Sequence, residues 1–383
     1  MTSGAEWQRP DAAGLPPVVV VFGGPSAEHD VSVVSGTAIA EALAAVGVRI
    51  SQVLVDLDGR WWWLPGDHRR GDRPGSAYDD PATLGAEGPF TVGQALDRLA
   101  ADQPPPVVWL ALHGPWGEDG TVQALVESIG LAYTGAGVGA SAIGMDKAVF
   151  KRLVRGLGLP VVDWREIRVE RWNRDRDAVL AELEAFAAGT GDPRLMVKPA
   201  RLGSSVGMTI AHGADERGPA LDTAFRFDTL ALAERYLPEA RDLEVSVLGN
   251  DPSRLELFGP GEVMAGHEFY DFDAKYTPGL SQTTTRAELP ESVRQTILKL
   301  ARDVYRAIGC EGFARVDFLM TGEEIVVSEI NTIPGFTPIS LFPTMPAAGG
   351  YDFPSICLRI VELAIERHAT RIRGRLTPAA LPR

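Results

Sequence analysis

Two apolar runs near the C-terminal end of the chain carry charge where a wholly buried strand would not. One is Phe313-Ala314-Arg315-Val316-Asp317-Phe318-Leu319, and the other, 325–331, reads IVVSEIN. Side chains two apart on a strand share a face, which groups Arg315 with Asp317 and Glu329 with Asn331. The loop Thr321-Gly322-Glu323-Glu324 between them predicts a hairpin. Centred on Glu323, it sets Asp317 opposite Glu329 and Arg315 opposite Asn331, all four on one face. Asp, Glu and Asn without His or Cys form a hard-oxygen set suited to Mg²⁺. The plainer alternative is a solvated strand face with cross-strand ion pairs.

An Mg²⁺ site of this kind implies phosphates nearby. Lys198-Pro199-Ala200-Arg201-Leu202-Gly203-Ser204-Ser205-Val206-Gly207 follows an apolar strand, and its backbone N–H groups can face phosphate oxygens. Read alone, a Gly-Ser-Ser loop is a turn. The chain has no GxxxxGK[ST], and Gly135-Ala136-Gly137-Val138-Gly139 does not match GxGxxG, which argues against P-loop and dinucleotide sites. Of 37 basic residues only Lys147, Lys151, Lys198, Lys275 and Lys299 are lysine, and a compact ammonium is not interchangeable with a guanidinium. Glu28 sits in the first turn after a strand, where a carboxylate complements a helix dipole. His113 ends a strand beside a glycine-rich loop, a place where a lone His is more often a satisfied structural group.

The elements that must hold these residues follow from periodicity. Val18-Val19-Val20-Val21-Phe22 reads as a buried strand, Gly23-Gly24 as a turn and Ser26 as the cap of a helix. A strand and hairpin follow over 51–64, then a polar Pro/Gly-rich segment, 66–88, expected to be a mobile surface insertion. Residues 106–112 form another strand before the loop 115–120 and a further helix, so the first domain is α/β with mostly parallel strands. A glycine-rich link near 133–139 leads to a helix over 141–156 and strands over 161–169 and 195–199. The apolar stripe Val293, Ile297, Leu300, Ala301, Val304 and Ile308 predicts a helix over 291–308.

At 383 residues the chain can bury a sizeable core in two or three domains. A formal charge of −14 argues against nucleic acid or an anionic membrane as a main partner. Cys310 and Cys357 are too few for a disulfide framework and read as structural thiols in a reducing compartment. The N-terminus lacks a basic-then-apolar leader, and no apolar run approaches about 20 residues, so a cytoplasmic location is expected.

Seven segments, in order, resemble the D-alanine–D-alanine ligases of the ATP-grasp superfamily: FGGPSAEHDVS, LHGPWGEDGT, TGAGVGASAIGMDK, VKPARLGSSVG, EFYDFDAKY, ARVDF and EINTIPGFTPIS. The resemblance spans about 18–364. It implies an α/β (α+β) ATP-grasp fold of three domains: 1–135, a Rossmann-like parallel α/β domain, and the α+β domains 136–233 and 234–383, which clamp ATP between them. The implied reaction phosphorylates the carboxylate of one D-alanine with ATP and lets the amine of a second displace phosphate, giving D-alanyl-D-alanine for peptidoglycan precursors.

By the same resemblance Asp317, Glu329 and Asn331 hold two Mg²⁺ ions, for which Mn²⁺ can substitute. Lys147 and Lys198 meet the nucleotide phosphates, Lys275 reaches the transferring phosphate, and Ser205 and Phe269 belong to the nucleotide site. Glu234 with the following Arg235, Tyr236 and Leu237 receives the adenine, and Glu244 binds the ribose. Glu28 receives the first D-alanine's ammonium with His113 nearby, while Arg315 and the N–H of Gly335 stabilise an oxyanion. Ser340 and Leu341 belong to the second-substrate site. Tyr276, hydrogen-bonded with Ser204 and Glu28, holds a closing loop shut. Ser328 stands where many relatives have Asn, and Thr283-Thr284-Thr285-Arg286-Ala287 replaces a more apolar segment. The resemblance also implies a homodimer. The rival readings are a sister ligase making D-alanyl-D-lactate or D-alanyl-D-serine, a secondary-pathway amino-acid ligase on the same fold, and a binding module without turnover; Tyr276 favours an amine acceptor.

Overall fold

The computed structural model describes residues 12–265 and 281–373, and the elements below are those of the described residues. The valine run forms β1 (Val18–Gly23), buried along its whole length as a strand covered on both faces must be. It pairs in parallel with β2 (Ile50–Val55), and β3 (Trp61–Trp63) and β4 (Glu87–Phe90) continue that edge antiparallel. On its other side lie β5 (Val107–Leu110) and β6 (Ala132–Tyr133), both parallel. Helix His29–Ala45 covers this sheet, and the C-terminal helix Phe353–Arg373 returns to the same core, where Ile356, Ile360 and Val361 pack with Val18, Val20 and Val33.

Two antiparallel sheets complete the α/β architecture. One contains β7 (Trp164–Arg168), β8 (Leu195–Pro199), β9 (Thr209–Ala211) and β10 (Leu230–Arg235) in the order β7-β10-β8-β9. The other contains β11 (Arg241–Leu248), β12 (Glu256–Ala265), β13 (Ser281–Thr284), β14 (Phe313–Thr321) and β15 (Glu324–Asn331) in the order β13-β12-β11-β14-β15. Against it, helix Glu291–Ala307 lays Ile297, Leu300, Ala301 and Val304, the stripe expected from the sequence.

The helix read as continuous over 141–156 is two, Val138–Met145 and Lys147–Gly156. Asp146 separates them: its carboxylate accepts from the N–H groups of Ala148 and Val149, each at 3.0 Å, and starts the second helix afresh. That helix is wedged between the antiparallel sheets. Ala148 packs with Trp164 and Leu232, whereas Phe150 and Val154 pack with Val245 and Val316.

Segment 66–88, expected to be a mobile surface insertion, packs on the first domain. Tyr78 is fully buried edge-to-face against Phe22, and its hydroxyl lies 2.8 Å from Nε2 of His68. Ser26 stands two residues before the cap position, Glu28: its hydroxyl accepts the N–H of Glu28 at 3.2 Å and donates to the carbonyl of His113 at 2.8 Å, and the helix starts at His29. The strand expected from Val161 begins at Trp164, because Val161 bridges instead to Val327 of β15.

Candidate active site

The β14–β15 hairpin brings together the four residues that the sequence places on one face. Asp317 pairs with Glu329 and Arg315 with Asn331. Its turn is tighter than expected, two residues long, with Gly322 at a φ of 57° in the first position. An unbroken ladder from such a turn would set Asp317 opposite Ser328. A bulge at Ser328 absorbs the extra residue and restores the Asp317–Glu329 pair. On the other side of β14, Glu244 of β11 lies opposite Asp317, so Glu244, Asp317 and Glu329 form one row across three strands.

Two cations face this row of three carboxylates. Arg315 donates from Nε and Nη2 to the two oxygens of Asp317, at 2.7 and 2.6 Å, and its Nε lies 3.3 Å from Glu244. Burial opposes the Arg315 charge, but the carboxylates of Asp317, Glu244 and Glu329 outweigh it and hold the guanidinium well above its ordinary pKa. Asn331 donates its amide N–H to Asp317 at 2.8 Å. Nζ of Lys147 lies 3.3 Å from Glu329 and donates to the carbonyl of Leu202 at 2.8 Å, which ties the hairpin to the loop after β8. Glu244, expected at a ribose, turns to Arg315.

One turn after Lys147 on the same helix, Lys151 is fully buried. Its Nζ lies 2.9 Å from Oε1 of Glu234, while Nζ of Lys198 lies 2.9 Å from Oε2. Burial pulls the Lys151 ammonium down to about 8, against the raising effect of Glu234. Burial alone would raise the Glu234 pKa, but the two lysines outweigh it and hold the carboxyl below its ordinary range. Of the expected adenine segment, Arg235 pairs with Glu324, Tyr236 carries the Arg194 guanidinium over its ring at 4.3 Å, and Leu237 packs with Val162 and Val326.

After β1, Glu28 is buried, and its Oε1 accepts from the hydroxyl of Ser204. Its Oε2 has no hydrogen-bond partner among the described residues. Gly114 and Gly203 leave room for this carboxylate: a Cβ on either would stand 2.6 or 2.9 Å from Oε2. Ser204 and Ser205 both have positive φ, 50° and 58°, so the expected phosphate loop is held in a sparsely populated backbone conformation.

His113 is satisfied at both nitrogens, with Nδ1 3.0 Å from the carbonyl of Ile333 and Nε2 3.2 Å from the hydroxyl of Ser35. Burial lowers its pKa, so the ring is neutral at pH 7, and the carbonyl acceptor assigns the proton to Nδ1. Gly335 faces Ser340: a Cβ there would lie 3.5 Å from its Oγ. The Ser340 hydroxyl meets Thr337, 3.1 Å from its N–H and 2.8 Å from its Oγ1, and Leu341 packs with Val263 and Met345. Phe269, Lys275 and Tyr276 lie outside the described residues.

This arrangement has counterparts among known proteins. Family profiles described as D-ala D-ala ligase N-terminus and D-ala D-ala ligase C-terminus match residues 17–136 and 153–362. A D-alanine–D-alanine ligase of Kineococcus radiotolerans is 41% identical over 372 residues, 92% of this chain and 97% of that protein. The chain belongs to the D-alanine–D-alanine ligase family. Its fold superposes on the D-alanine-D-alanine ligase from Coxiella burnetii with a TM-score of 0.76 at 32% identity, covering 94% of this chain and 97% of that one. On the VanG D-Ala:D-Ser ligase from Enterococcus faecalis the TM-score is 0.78 at 28% identity, covering 91% and 99%. The ATP-grasp architecture expected from the motifs is therefore the fold found, and it is common to ligases named for different acceptors.

The hairpin fits a divalent cation in donor chemistry. Among the described residues no three His, Cys, Asp or Glu side chains gather as a metal site. The set is instead two carboxylates and an amide, all able to offer oxygen, facing one another across the strand pair. Arg315 and Lys147 already show that this face holds positive charge.

Glu118 and Lys151, both buried and ionisable, were not expected at the site from the sequence. Glu118 accepts the N–H of Gly114 at 2.7 Å and that of Ile333 at 3.2 Å, pinning the glycine loop to the chain that leads to Gly335. Burial and the nearby Glu28 raise its pKa well above the ordinary carboxylate range. Its signal was an acid inside the GEDG turn. Lys151 signalled itself by lying four residues after Lys147, hence on the same helix face.

Proposed function

We propose that this protein joins two D-alanines into D-alanyl-D-alanine, converting ATP to ADP and phosphate by way of D-alanyl phosphate, and so supplies peptidoglycan precursors. The observation that carries the reading is Glu28: a buried carboxylate, cradled by two glycines, with one oxygen that has no partner among the described residues, while the other meets Ser204 in the loop whose Leu202 carbonyl accepts from Lys147. An ammonium is the group that such an oxygen accepts.

With its ammonium on Glu28, the first D-alanine directs its carboxylate toward the nucleotide. A carboxylate oxygen forms a bond to the γ-phosphorus as the bond to the β–γ bridging oxygen breaks and ADP leaves. Lys147, Lys198 and the N–H groups around Ser204 and Ser205 face the phosphates, and the chain over 235–237 borders the adenine. We assign Glu244 to holding Arg315 rather than to the ribose, because its carboxylate already faces that guanidinium. Asp317, Glu329 and Asn331 would hold Mg²⁺ or Mn²⁺, which supplies charge neutralisation for the transferring phosphoryl group.

The amine of the second D-alanine then attacks the acyl carbon. Arg315 and the N–H of Gly335 stabilise the oxyanion, and phosphate departs with the electrons of the broken C–O bond and takes up the proton that the attacking amine gives up. Ser340 offers its hydroxyl to the second carboxylate, and Leu341 lines its side. His113, neutral and doubly bonded, positions the loop around Glu28 rather than transferring a proton. Tyr276 and Lys275, on the loop expected to close over the site, keep the roles that the resemblance implies. A homodimer in the cytoplasm belongs to the same proposal; among the described residues no helix is long and apolar enough to cross a membrane.

ADP release measured with ATP, with and without Mg²⁺ and D-alanine, tests the reading. Release that requires both additions is expected. Release independent of D-alanine, or none at all, would overturn it in favour of another substrate or a binding role.

A further inference from the structure

We propose that Lys151 is a positioning residue for nucleotide binding: by sharing the carboxylate of Glu234 with Lys198, it fixes where the Lys198 ammonium stands. The inference rests on the reading above, in which Lys198 meets the nucleotide phosphates.

The geometry is built from three elements. On β10, Glu234 pairs with Met196 of β8 and Trp164 of β7, and Lys198 lies diagonally from it on the same sheet face. The helix Lys147–Gly156 crosses that face and lowers Lys151 onto the other oxygen of Glu234, with Nζ 5.6 Å from the centre of the Trp164 ring. Lys151 is fully buried and Glu234 nearly so, so solvent does not compete for either charge.

One lysine already neutralises one glutamate. A second cation exceeds what burial of Glu234 requires, and burying it is costly. The surplus leaves the trio with a net positive charge, suited to a polyanion. Lys151 holds Oε1 by ion-pair contact at 2.9 Å, outside hydrogen-bond geometry, which leaves Oε2 as the oxygen that Glu234 offers Lys198. Without Lys151, both oxygens would be free to draw Lys198 back into a neutral pair. The same helix carries Lys147 to Glu329, so one rigid element sets both phosphate-facing lysines.

The test is ADP affinity by titration calorimetry, with initial-rate kinetics on the same proteins. Lys151→Met is expected to weaken ADP about tenfold, near 1.4 kcal/mol, and to raise the KM for ATP alike. The KM for D-alanine should not move, and kcat at saturating ATP should stay within about threefold. In a Lys198→Met background the same change should cost less than about twofold, because its effect passes through Lys198. Equal losses in both backgrounds, or no loss in either, would overturn the proposal. Should Lys151→Met fail to fold, Lys151→Gln, which removes the charge but keeps a donor toward Glu234, is expected to give the same pattern and is judged by the same criteria. Lys198→Met alone separates the two levels: unchanged ADP affinity there would refute the phosphate role of Lys198, whereas weakened affinity with a silent Lys151→Met would refute only the positioning role.

Discussion

Glu28 and Ser204, 176 residues apart in sequence, meet through a hydrogen bond that leaves the other carboxylate oxygen of Glu28 without a partner among the described residues. One residue follows the first strand of the parallel sheet, and the other sits in the loop after β8. Their contact joins the parallel-sheet domain to the loop after β8, beside the oxygen that we propose receives an ammonium.

Gly203→Ala tests that wall. The new Cβ would lie 2.9 Å from Oε2 and 3.3 Å from Oε1 of Glu28, and the Gly203 backbone is not in the left-handed region, so the change crowds the carboxylate without straining the turn. We expect the KM for D-alanine to rise about tenfold or more, near 1.4 kcal/mol, with ADP affinity within about twofold. An unchanged KM would show that Glu28 does not receive the substrate.

Glu329→Gln tests the hairpin. The amide keeps the shape of the side chain but removes the charge that faces Lys147 and would bind Mg²⁺. ADP formation is expected to fall by about a hundredfold or more, with a thermal midpoint within a few degrees of the parent, because the partly exposed Lys147–Glu329 pair contributes little to stability. Turnover within about threefold of the parent would remove Glu329 from the proposed metal set.

How far these residues could be read from the sequence depended on how local their geometry is. The pairing of Asp317 with Glu329 was legible because strand alternation and one hairpin fix it. The way it is reached was not: a two-residue turn and a bulge at Ser328 together give the register that a longer turn alone was expected to give. Asp146 was legible as part of a motif but not as a helix cap, so one helix was expected where there are two. Segment 66–88 looked like a free insertion because its composition is polar, yet the single aromatic Tyr78 anchors it in the core. Glu118, Lys151 and the partners of Glu244 depend on contacts between distant segments, which local periodicity does not reveal.

Alkaline pH should expose the buried thiols. Burial lifts Cys310 from its ordinary value of 9.0 to about 12, and Cys357 and Tyr305 shift in the same direction. For a thiol with a raised folded pKa, the folded state keeps a proton that the unfolded chain releases. The stabilising contribution is therefore complete below about pH 9 and is lost as pH climbs toward 12. The thermal midpoint should fall between about pH 8 and about pH 10.5, and Cys310→Ala should make that fall shallower. Parallel curves for parent and variant would rule out Cys310 as a contributor.

The acceptor is the most consequential part of the account, because the fold is common to ligases named for D-alanine and for D-serine. The most direct measurement is mass spectrometry of the products formed from ATP, Mg²⁺ and D-alanine, with D-lactate and D-serine present as competitors and ADP counted alongside. D-alanyl-D-alanine is expected as the main product, one per ADP. A predominant D-alanyl-D-lactate or D-alanyl-D-serine would contradict the acceptor assignment, and the absence of any dipeptide or ester product would contradict the ligase reading itself.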